Sequence, residues 1–364
     1  MYFTDTVESD ELRELLTRFH AAHPAPFPAR PGDELGPSEA RWAELVEMGA
    51  IAPQIDDALG GAGLSFEAFA VTAEVGGAEV SDLPLLASAG AAELLARCGE
   101  TAAHLLGDIA TGRRSALALD AHTPLGAVSE TGVHARPDGA SWRLHGIKNL
   151  VRTDASTSLV LVLAHTDDGP ALFGLDLADV TQTPVPTLDP TVPLSRLDMI
   201  GAPGALLAQG ASVDAIVEDT LDRIWIGAAA ELLGVAQAAL DLAVGLVTTR
   251  EQFGRPVGAN QAVKHRLADT YSSVASLRSS VTYAAHRGDL LGAEAEVRRL
   301  APLVLSLAMD VSLQSASDAV QFSGAMGYTW EHPAHRYLKR AATAPALFGS
   351  PESHREAMLT RRGW

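Results

Sequence analysis

A break between two long helical segments is the strongest constraint on the fold. An Ala- and Leu-rich run with helical spacing leads from about residue 221 to Arg250. The segment 250–258 (REQFGRPVG) interrupts this pattern with two glycines and a proline, and a second helical run starts near Gln261. Arg250 and Phe253 therefore lie at the end of a helix, where they can meet a group outside the chain. A plain helix corner, whose arginine neutralises the last carbonyl groups, is the alternative interpretation.

The hydrophobic spacing changes twice along the 364 residues and divides the chain into three parts. Residues 1–114 show helical spacing, whereas residues 115–215 contain short β-type runs and the hairpin signal Asp138-Gly139. Residues 216–364 are helical again, in long Ala-rich segments that suit close antiparallel packing. We therefore expect an α+β protein, mainly α. Its N-terminal helical domain, middle antiparallel β domain and C-terminal four-helix bundle follow one another in the chain.

Composition limits the partners and the compartment. Aspartate and glutamate number 45 against 27 lysines and arginines, so the formal net charge is −18. Nucleic acids and anionic membrane surfaces need a cationic face, and we expect neither as a partner. No uncharged apolar run reaches the ~20 residues of a membrane-spanning helix. The N-terminal residues do not resemble a secretion signal, and a single cysteine excludes an intrachain disulfide, so we expect a cytoplasmic protein.

Two blocks of sequence resemble the acyl-CoA dehydrogenase family. The first is 250–258, followed by Gln261 and by Leu-Ala-Asp at 267–269; it matches that family's Arg-x-Gln-Phe-Gly-x-Pro-x-Gly signature. The second is 321–333 (QFSGAMGYTWEHP), which is similar to the family's Gln-x-x-Gly-Gly-x-Gly-Tyr-x-x-Glu-x-Pro segment. The resemblance covers nearly the whole chain. It implies the family's three-part fold, an FAD cofactor, an acyl-CoA thioester as substrate and electron-transfer flavoprotein as electron acceptor.

By this resemblance, one group of residues would hold the adenosine-pyrophosphate arm of an FAD bound mainly by a neighbouring subunit. The group comprises Arg250, Gln252, Phe253, Gln261, Gln321 and the backbone of Gly324 and Ala325. Arginine and backbone N–H groups suit a pyrophosphate because both donate hydrogen bonds to anions. Ala325 replaces the family's second glycine, and its methyl group would stand where the backbone approaches the ligand.

The residues that would carry out the chemistry are replaced. The family's reaction needs a carboxylate to take the α-proton of the thioester, while flavin N5 takes the β-hydride. Family members place this base at the positions of Phe348 or Ile224, and neither side chain can accept a proton. The acids nearby are Asp222 and Glu231. We expect Asp222 to complement the dipole in the first turn of its helix, and Glu231 to make an intersubunit or capping contact.

The segments that would contact the flavin ring also depart from the family pattern. Residues 150–152 (LVR) stand at the aromatic-x-Thr position against the ring, and residues 119–126 (LDAHTPLG) replace the loop that covers it. No catalytic residue is therefore predicted in this chain. The resemblance implies a subunit of a hetero-oligomeric enzyme whose base is supplied by a related partner. It also implies a tetramer that degrades fatty acids or bulky steroid side chains.

Two alternatives remain open at this stage. One is a self-sufficient homo-oligomeric dehydrogenase that uses Glu231 or Asp222 as an unusual base. The other is a non-enzymatic scaffold of the same fold that binds no flavin.

Three further residues are candidates for other chemistry. His332 and His335 have a spacing that suits two metal ligands, but no third ligand is evident, and we predict no metal site. Cys98 lies in an apolar helical run, so we expect it to pack as a small core residue.

Overall fold

The computed structural model describes residues 6–28, 39–119, 132–139, 141–252 and 254–363. The N-terminal helices are α1 (Val7–Ala22), α2 (Glu39–Glu47), α3 (Phe66–Ala78), α4 (Leu85–Arg97) and α5 (Ala103–Ala110). Thr6 caps α1, because its hydroxyl accepts a hydrogen bond from the backbone N–H of Ser9. Every residue of α3 from Phe66 to Gly77 is buried, which places this helix in the interior of the molecule.

The middle part of the chain forms a sheet that closes on itself. Its strands are β1 (Ser115–Ala118), β2 (Val133–Asp138), β3 (Ser141–Arg152), β4 (Leu159–Thr166), β5 (Gly169–Asp176), β6 (Thr181–Val185) and β7 (Leu194–Gln209). Strand β5 pairs with both β4 and β7, and β4 pairs with β2, so the order β4-β2-β3-β7-β5 returns to β4.

The sheet is mainly antiparallel, as expected, but β1 and β2 run parallel to β4. A parallel pair needs a long connection, and β2 and β3 supply one between β1 and β4. The hairpin predicted at Asp138-Gly139 is confirmed, since β2 and β3 pair along their length. Gly146 in β3 has φ +139°, and a β-carbon there would lie 2.2 Å from the carbonyl oxygen of Gly132. Glycine is therefore required at this position.

The C-terminal helices are α6 (Ser212–Thr249), α7 (Gln261–Gly288), α8 (Glu294–Ser323), α9 (Ala334–Phe348) and α10 (Pro351–Arg361). Helix α6 starts at Ser212, well before the predicted residue 221. The last predicted helix is divided into α9 and α10. Gly349 ends the first of these, and the hydroxyl of Ser350 caps the second.

Helices α6 and α8 are long and apolar enough to cross a membrane by length and composition alone. Both pack against each other and against α7 and α9 in the main hydrophobic core. A helix buried in a protein interior needs the same composition, so this property is weak evidence for a membrane.

The backbones of α3 and α6 touch at two glycines. A β-carbon on Gly77 would lie 1.9 Å from the carbonyl oxygen of Glu231, and one on Gly234 would lie 1.9 Å from that of Glu74. No side chain fits at either position. The two glycines therefore allow the N-terminal helices to pack directly on the C-terminal bundle.

His20 in α1 makes stability dependent on pH. The side chain is buried, and neither ring nitrogen has a hydrogen-bond partner within the described part of the chain. Burial, and then the charge of Arg41, lowers the pKa of His20 from 6.5 to about 4. As the pH falls below 6.5, His20 becomes protonated in the unfolded chain but stays neutral in the folded protein. The contribution of neutral His20 to the free energy of unfolding is therefore fully present above pH 6.5 and is lost as the pH falls towards 4.

We expect the free energy of unfolding, measured by urea denaturation, to decrease from pH 7 to pH 5, and His20→Leu to remove about 2 kcal/mol of that decrease. The matched control is His104→Leu, which removes an exposed histidine. An identical pH dependence in wild type and His20→Leu would contradict the assignment.

Candidate functional site

The corner after α6 brings Arg250 to the end of α8. Arg250 is the C-terminal cap residue of α6, and its Nη1 lies 3.5 Å from the carbonyl oxygen of Ser323. A β-carbon on Gly324 would lie 3.0 Å from the same nitrogen. The guanidinium thus lies beside the last carbonyl group of a second helix, α8, a contact that the helix-corner interpretation also allows. Arg250 is exposed, so its remaining N–H groups can reach a ligand outside the chain.

The other predicted cofactor residues lie on the surface at the same end of the bundle or next to it in the chain. Gln252 is in β8 (Glu251–Gln252), which pairs with β9 (Arg255–Pro256), and Gln261 is the first residue of α7. Gln321 is in the last turn of α8. The exposed or half-exposed members are Arg250, Gln252, Gln261, Gln321, Gly324 and Ala325. Phe253 lies outside the described residues.

A small cavity brings together the positions that the family uses for its base and for its flavin-ring contacts. Its volume is about 100 Å³, and it lies between α4, β1, β3, α6 and the end of α9. Ile224 and Phe348 both line it, and so do residues 150–152. The remaining lining residues are Leu86, Ala87, Leu117, Ala118, Leu119, Lys148, Asn149, Leu221 and Leu347.

Two properties of this cavity oppose catalysis within the chain. None of the described residues that line it is an aspartate or a glutamate. Its volume of about 100 Å³ is also well below the ~300–1,000 Å³ of sites that enclose a drug-sized ligand. Among the described residues, the lining of this cavity therefore offers no base for a thioester and little room for a flavin ring. Of the replaced loop at 119–126, the structure describes only Leu119.

Behind the cavity, a buried ion network connects all three parts of the chain. Arg340 in α9 donates from Nε to Asp189 Oδ2 at 2.5 Å, and from Nη1 to Glu231 Oε1 in α6. Its Nη2 donates to the carbonyl oxygen of Ser81 at 2.9 Å and to the hydroxyl of Thr191 at 2.6 Å. Burial disfavours the cation, but Asp189 and Glu231 outweigh this effect and raise the pKa of Arg340 above its usual value.

The capping contact expected of Glu231 is wrong, because Glu231 lies in the middle of α6. Its carboxylate pairs with Arg340 of the same chain. Its partner could not be inferred locally, because the two residues lie far apart in the sequence. Glu231 does not line the small cavity, and its carboxylate is already engaged. This geometry disfavours it as a general base.

The prediction that Asp222 complements the dipole in the first turn of its helix is wrong. Because α6 starts at Ser212, Asp222 lies beyond its first turns. The side chain is almost fully buried and pairs with Arg361 of α10 at 2.6 Å. Burial raises the pKa of Asp222 to about 7, although Arg361 opposes this. A carboxyl group with this pKa could act as a base, but Asp222 does not line the small cavity.

The other candidate residues have structural contacts. Nδ1 of His332 accepts a hydrogen bond from the backbone N–H of Ala334 at 3.2 Å, and Nε2 of His335 lies 3.0 Å from the carbonyl oxygen of Trp330. Cys98 is half-buried and packs on the main core. Burial raises the pKa of the Cys98 thiol to about 11, which makes it a poor nucleophile at neutral pH.

Comparison with known families identifies the class of protein. The model of the acyl-CoA dehydrogenase N-terminal domain matches residues 6–113, and that of the acyl-CoA dehydrogenase C-terminal domain matches residues 215–362. The chain therefore belongs to the acyl-CoA dehydrogenase family, whose members are flavoprotein oxidoreductases that act on CH–CH bonds.

Particular relatives cover almost the whole chain. Acyl-CoA dehydrogenase IpdE2 of Mycobacterium tuberculosis is 31% identical over 354 residues, which are 96% of this chain and 95% of the relative. The structure of the ChsE4-ChsE5 complex from Mycobacterium tuberculosis matches with a TM-score of 0.86 and 27% identity, over 100% of this chain and 99% of the other. A Tcur3481-Tcur3483 steroid ACAD variant matches with a TM-score of 0.86 and 28% identity, over 98% of both chains.

Proposed function

We propose that this chain is the non-catalytic subunit of a hetero-oligomeric, FAD-dependent acyl-CoA dehydrogenase. The observation that carries the proposal is the small cavity, in which Ile224 and Phe348 occupy the positions of the base and the lining residues leave about 100 Å³. A related partner subunit supplies the base and the pocket for the flavin ring. This chain completes the site from outside, through the surface around Arg250.

The chain's own residues are suited to the outer half of FAD. Arg250 presents an exposed guanidinium that can donate to the pyrophosphate, and Gln252, Gln261 and Gln321 add amide donors and acceptors. Gly324 has φ +63° and no side chain, so its backbone lies open beside Arg250, while its N–H donates to the carbonyl oxygen of Gln321. Bound FAD would accept the hydride from the acyl-CoA. The role of this chain is to hold and orient the cofactor, not to move the α-proton.

The relatives support a two-component enzyme. Both structural relatives with the higher identities carry two protein names, ChsE4-ChsE5 and Tcur3481-Tcur3483, and the second is described as a steroid ACAD. We extend this arrangement to the present chain, with a bulky acyl-CoA as substrate and electron-transfer flavoprotein as electron acceptor. We place the complex in the cytoplasm. A self-sufficient enzyme is less favoured, since Glu231 and Asp222 are both ion-paired and neither of them lines the small cavity.

The test is to purify this chain alone and together with the related protein encoded next to it. We expect the chain alone to be colourless and inactive, and the complex to be yellow and active, with one FAD for each pair of unlike chains. The partner should carry a carboxylate where this chain has Phe348 or Ile224. A yellow preparation of this chain alone that dehydrogenates an acyl-CoA would overturn the proposal.

A further inference from the structure

Three histidines stand side by side on the outer surface of the sheet. His134 in β2 pairs directly with His145 in β3 and with His165 in β4. Side chains at paired positions of neighbouring strands point to the same face of a sheet. Val133 and Ala135, on either side of His134 in β2, are buried in the core inside the closed sheet, so the histidines lie on the opposite, outer face. His134 and His145 are exposed, and His165 is half-buried.

The rings of His134 and His165 lie close enough to share one metal ion. Their centroids are 6.3 Å apart, and the ring planes are nearly perpendicular, at 87°. An ion bound to an imidazole nitrogen at about 2.0–2.1 Å lies about 3.2 Å from the centroid of that ring. Two rings that bind the same ion are therefore at most about 6.4 Å apart. The observed separation meets this limit, and rotation of the exposed ring of His134 can adjust the angle at the ion.

Both rings can present a nitrogen to an ion at the surface. Nδ1 of His165 is buried and has no hydrogen-bond partner among the described residues, so Nε2 is the nitrogen that can reach an ion. His134 is exposed, and its ring can turn to offer either nitrogen. His332 and His335 differ, because each has a ring nitrogen engaged with the backbone. Since His134 and His165 lie on separate strands, the sequence alone gives no sign of the pair.

The ring of His145 points away from this pair. Its Cε1 lies 3.6 Å, and its Nε2 3.9 Å, from the place of a β-carbon on Gly201. Gly201 belongs to β7, which lies on the side of β3 opposite to β2. In agreement with this orientation, the described part of the chain contains no group of three metal-ligating side chains. The site therefore consists of two histidines, and His145 is a neighbouring histidine outside it.

The chemistry of the pair selects the ion. Imidazole nitrogen suits Cu²⁺, Ni²⁺ and Zn²⁺, whereas Mg²⁺ prefers oxygen ligands. Close to the pair in the chain, the exposed Arg136 opposes the binding of a cation, while the exposed Asp167 and Asp168 favour it.

We propose that His134 and His165 bind one divalent transition-metal ion on the outer face of the sheet, with water completing its coordination. Among the first-row ions, Cu²⁺ binds most tightly to such a site. Neither histidine belongs to the residues proposed to contact FAD, and neither lines the small cavity. The alternative is an aromatic contact between two rings that has no ligand.

The proposal is tested by calorimetric titration of the purified chain, without an affinity tag, with Cu²⁺, Ni²⁺, Zn²⁺ and Mg²⁺. We expect Cu²⁺ to bind most tightly, Ni²⁺ and Zn²⁺ more weakly, and Mg²⁺ not at all. Electron paramagnetic resonance of the Cu²⁺-loaded chain should show coupling of the copper to nitrogen ligands. Binding of Mg²⁺ that equals the binding of Cu²⁺ would overturn the proposal. The measurement needs neither FAD nor a partner subunit, so its outcome is independent of the proposed enzymatic role.

Three variants locate the site. His134→Asn removes an exposed ring, so the fold should survive, and we expect it to weaken Cu²⁺ binding about tenfold or more, because one of two linked ligands is lost. His165→Asn should cause a similar loss. The matched control is His145→Asn, which removes the neighbouring exposed histidine and should leave the affinity unchanged. Unchanged affinity in His134→Asn, or an equal loss in His145→Asn, would overturn the assignment of the two ligands.

Discussion

Arg250→Ala is expected to remove most of the FAD from the complex between this chain and its partner. An arginine–pyrophosphate contact is charge-assisted, and its loss costs about 2–3 kcal/mol. This corresponds to an affinity for FAD that is about 30- to 150-fold weaker. The measurement is flavin per complex after gel filtration, followed by titration of FAD into the apo-complex. The fold should survive, since Arg250 is exposed and its contact with Ser323 is long, at 3.5 Å.

Arg255→Ala is the matched control for this experiment. Arg255 is another exposed arginine in the same turn, and it donates to Asn260 of its own chain at 2.7 Å. Its loss should leave FAD content nearly unchanged. Full FAD content in the Arg250→Ala complex would contradict the proposed role and would favour the alternative of a scaffold of the same fold that binds no flavin.

Arg340→Met is expected to lower the free energy of unfolding by about 3–5 kcal/mol, because it leaves Asp189 and Glu231 buried without their cation. The measurement is urea denaturation of the purified chain. Adding Asp189→Asn to Arg340→Met should recover part of the loss, since the stranded carboxylate is one of its causes. The control is Arg355→Met, whose ion pairs with Asp310 and Glu352 are exposed, so that its loss should hardly change the free energy of unfolding.

A wild-type unfolding curve for Arg340→Met would contradict the importance of the network. A transition that becomes two separate steps would still agree with it. Arg340 holds Ser81 of the N-terminal part, Asp189 and Thr191 of the middle part and Glu231 of the bundle. Removing one side chain could therefore uncouple the parts as well as weaken them.

Local signals in the sequence account for the order of the three parts and for the corner at Arg250. Hydrophobic spacing and glycine or proline breaks act within a few residues, and they can be read without knowledge of the fold. Strand β7 carries no clear signal of this kind, since Gly201, Pro203 and Gly204 interrupt its pattern. It is held in the sheet by its neighbours, with Pro203 opposite Arg143 of β3.

The candidate site could be predicted only in part. The resemblance assigns Ile224 and Phe348 to two alternative positions of the base, but only the packing of α6 against the end of α9 places both beside one cavity. The partners of Glu231 and Asp222 depend on contacts with α9 and α10, far along the chain.

The glycine contact between α3 and α6 has a consequence for evolution. Gly77 and Gly234 each leave no room for a methyl group against the opposite backbone, so neither can mutate to alanine without a change in the distance between the two helices. A duplicated gene can lose its base by a single substitution and still fold, whereas drift at these two sites would be eliminated in either copy. Sequence differences between paired subunits should therefore accumulate around the small cavity, while Gly77 and Gly234 are retained in both subunits.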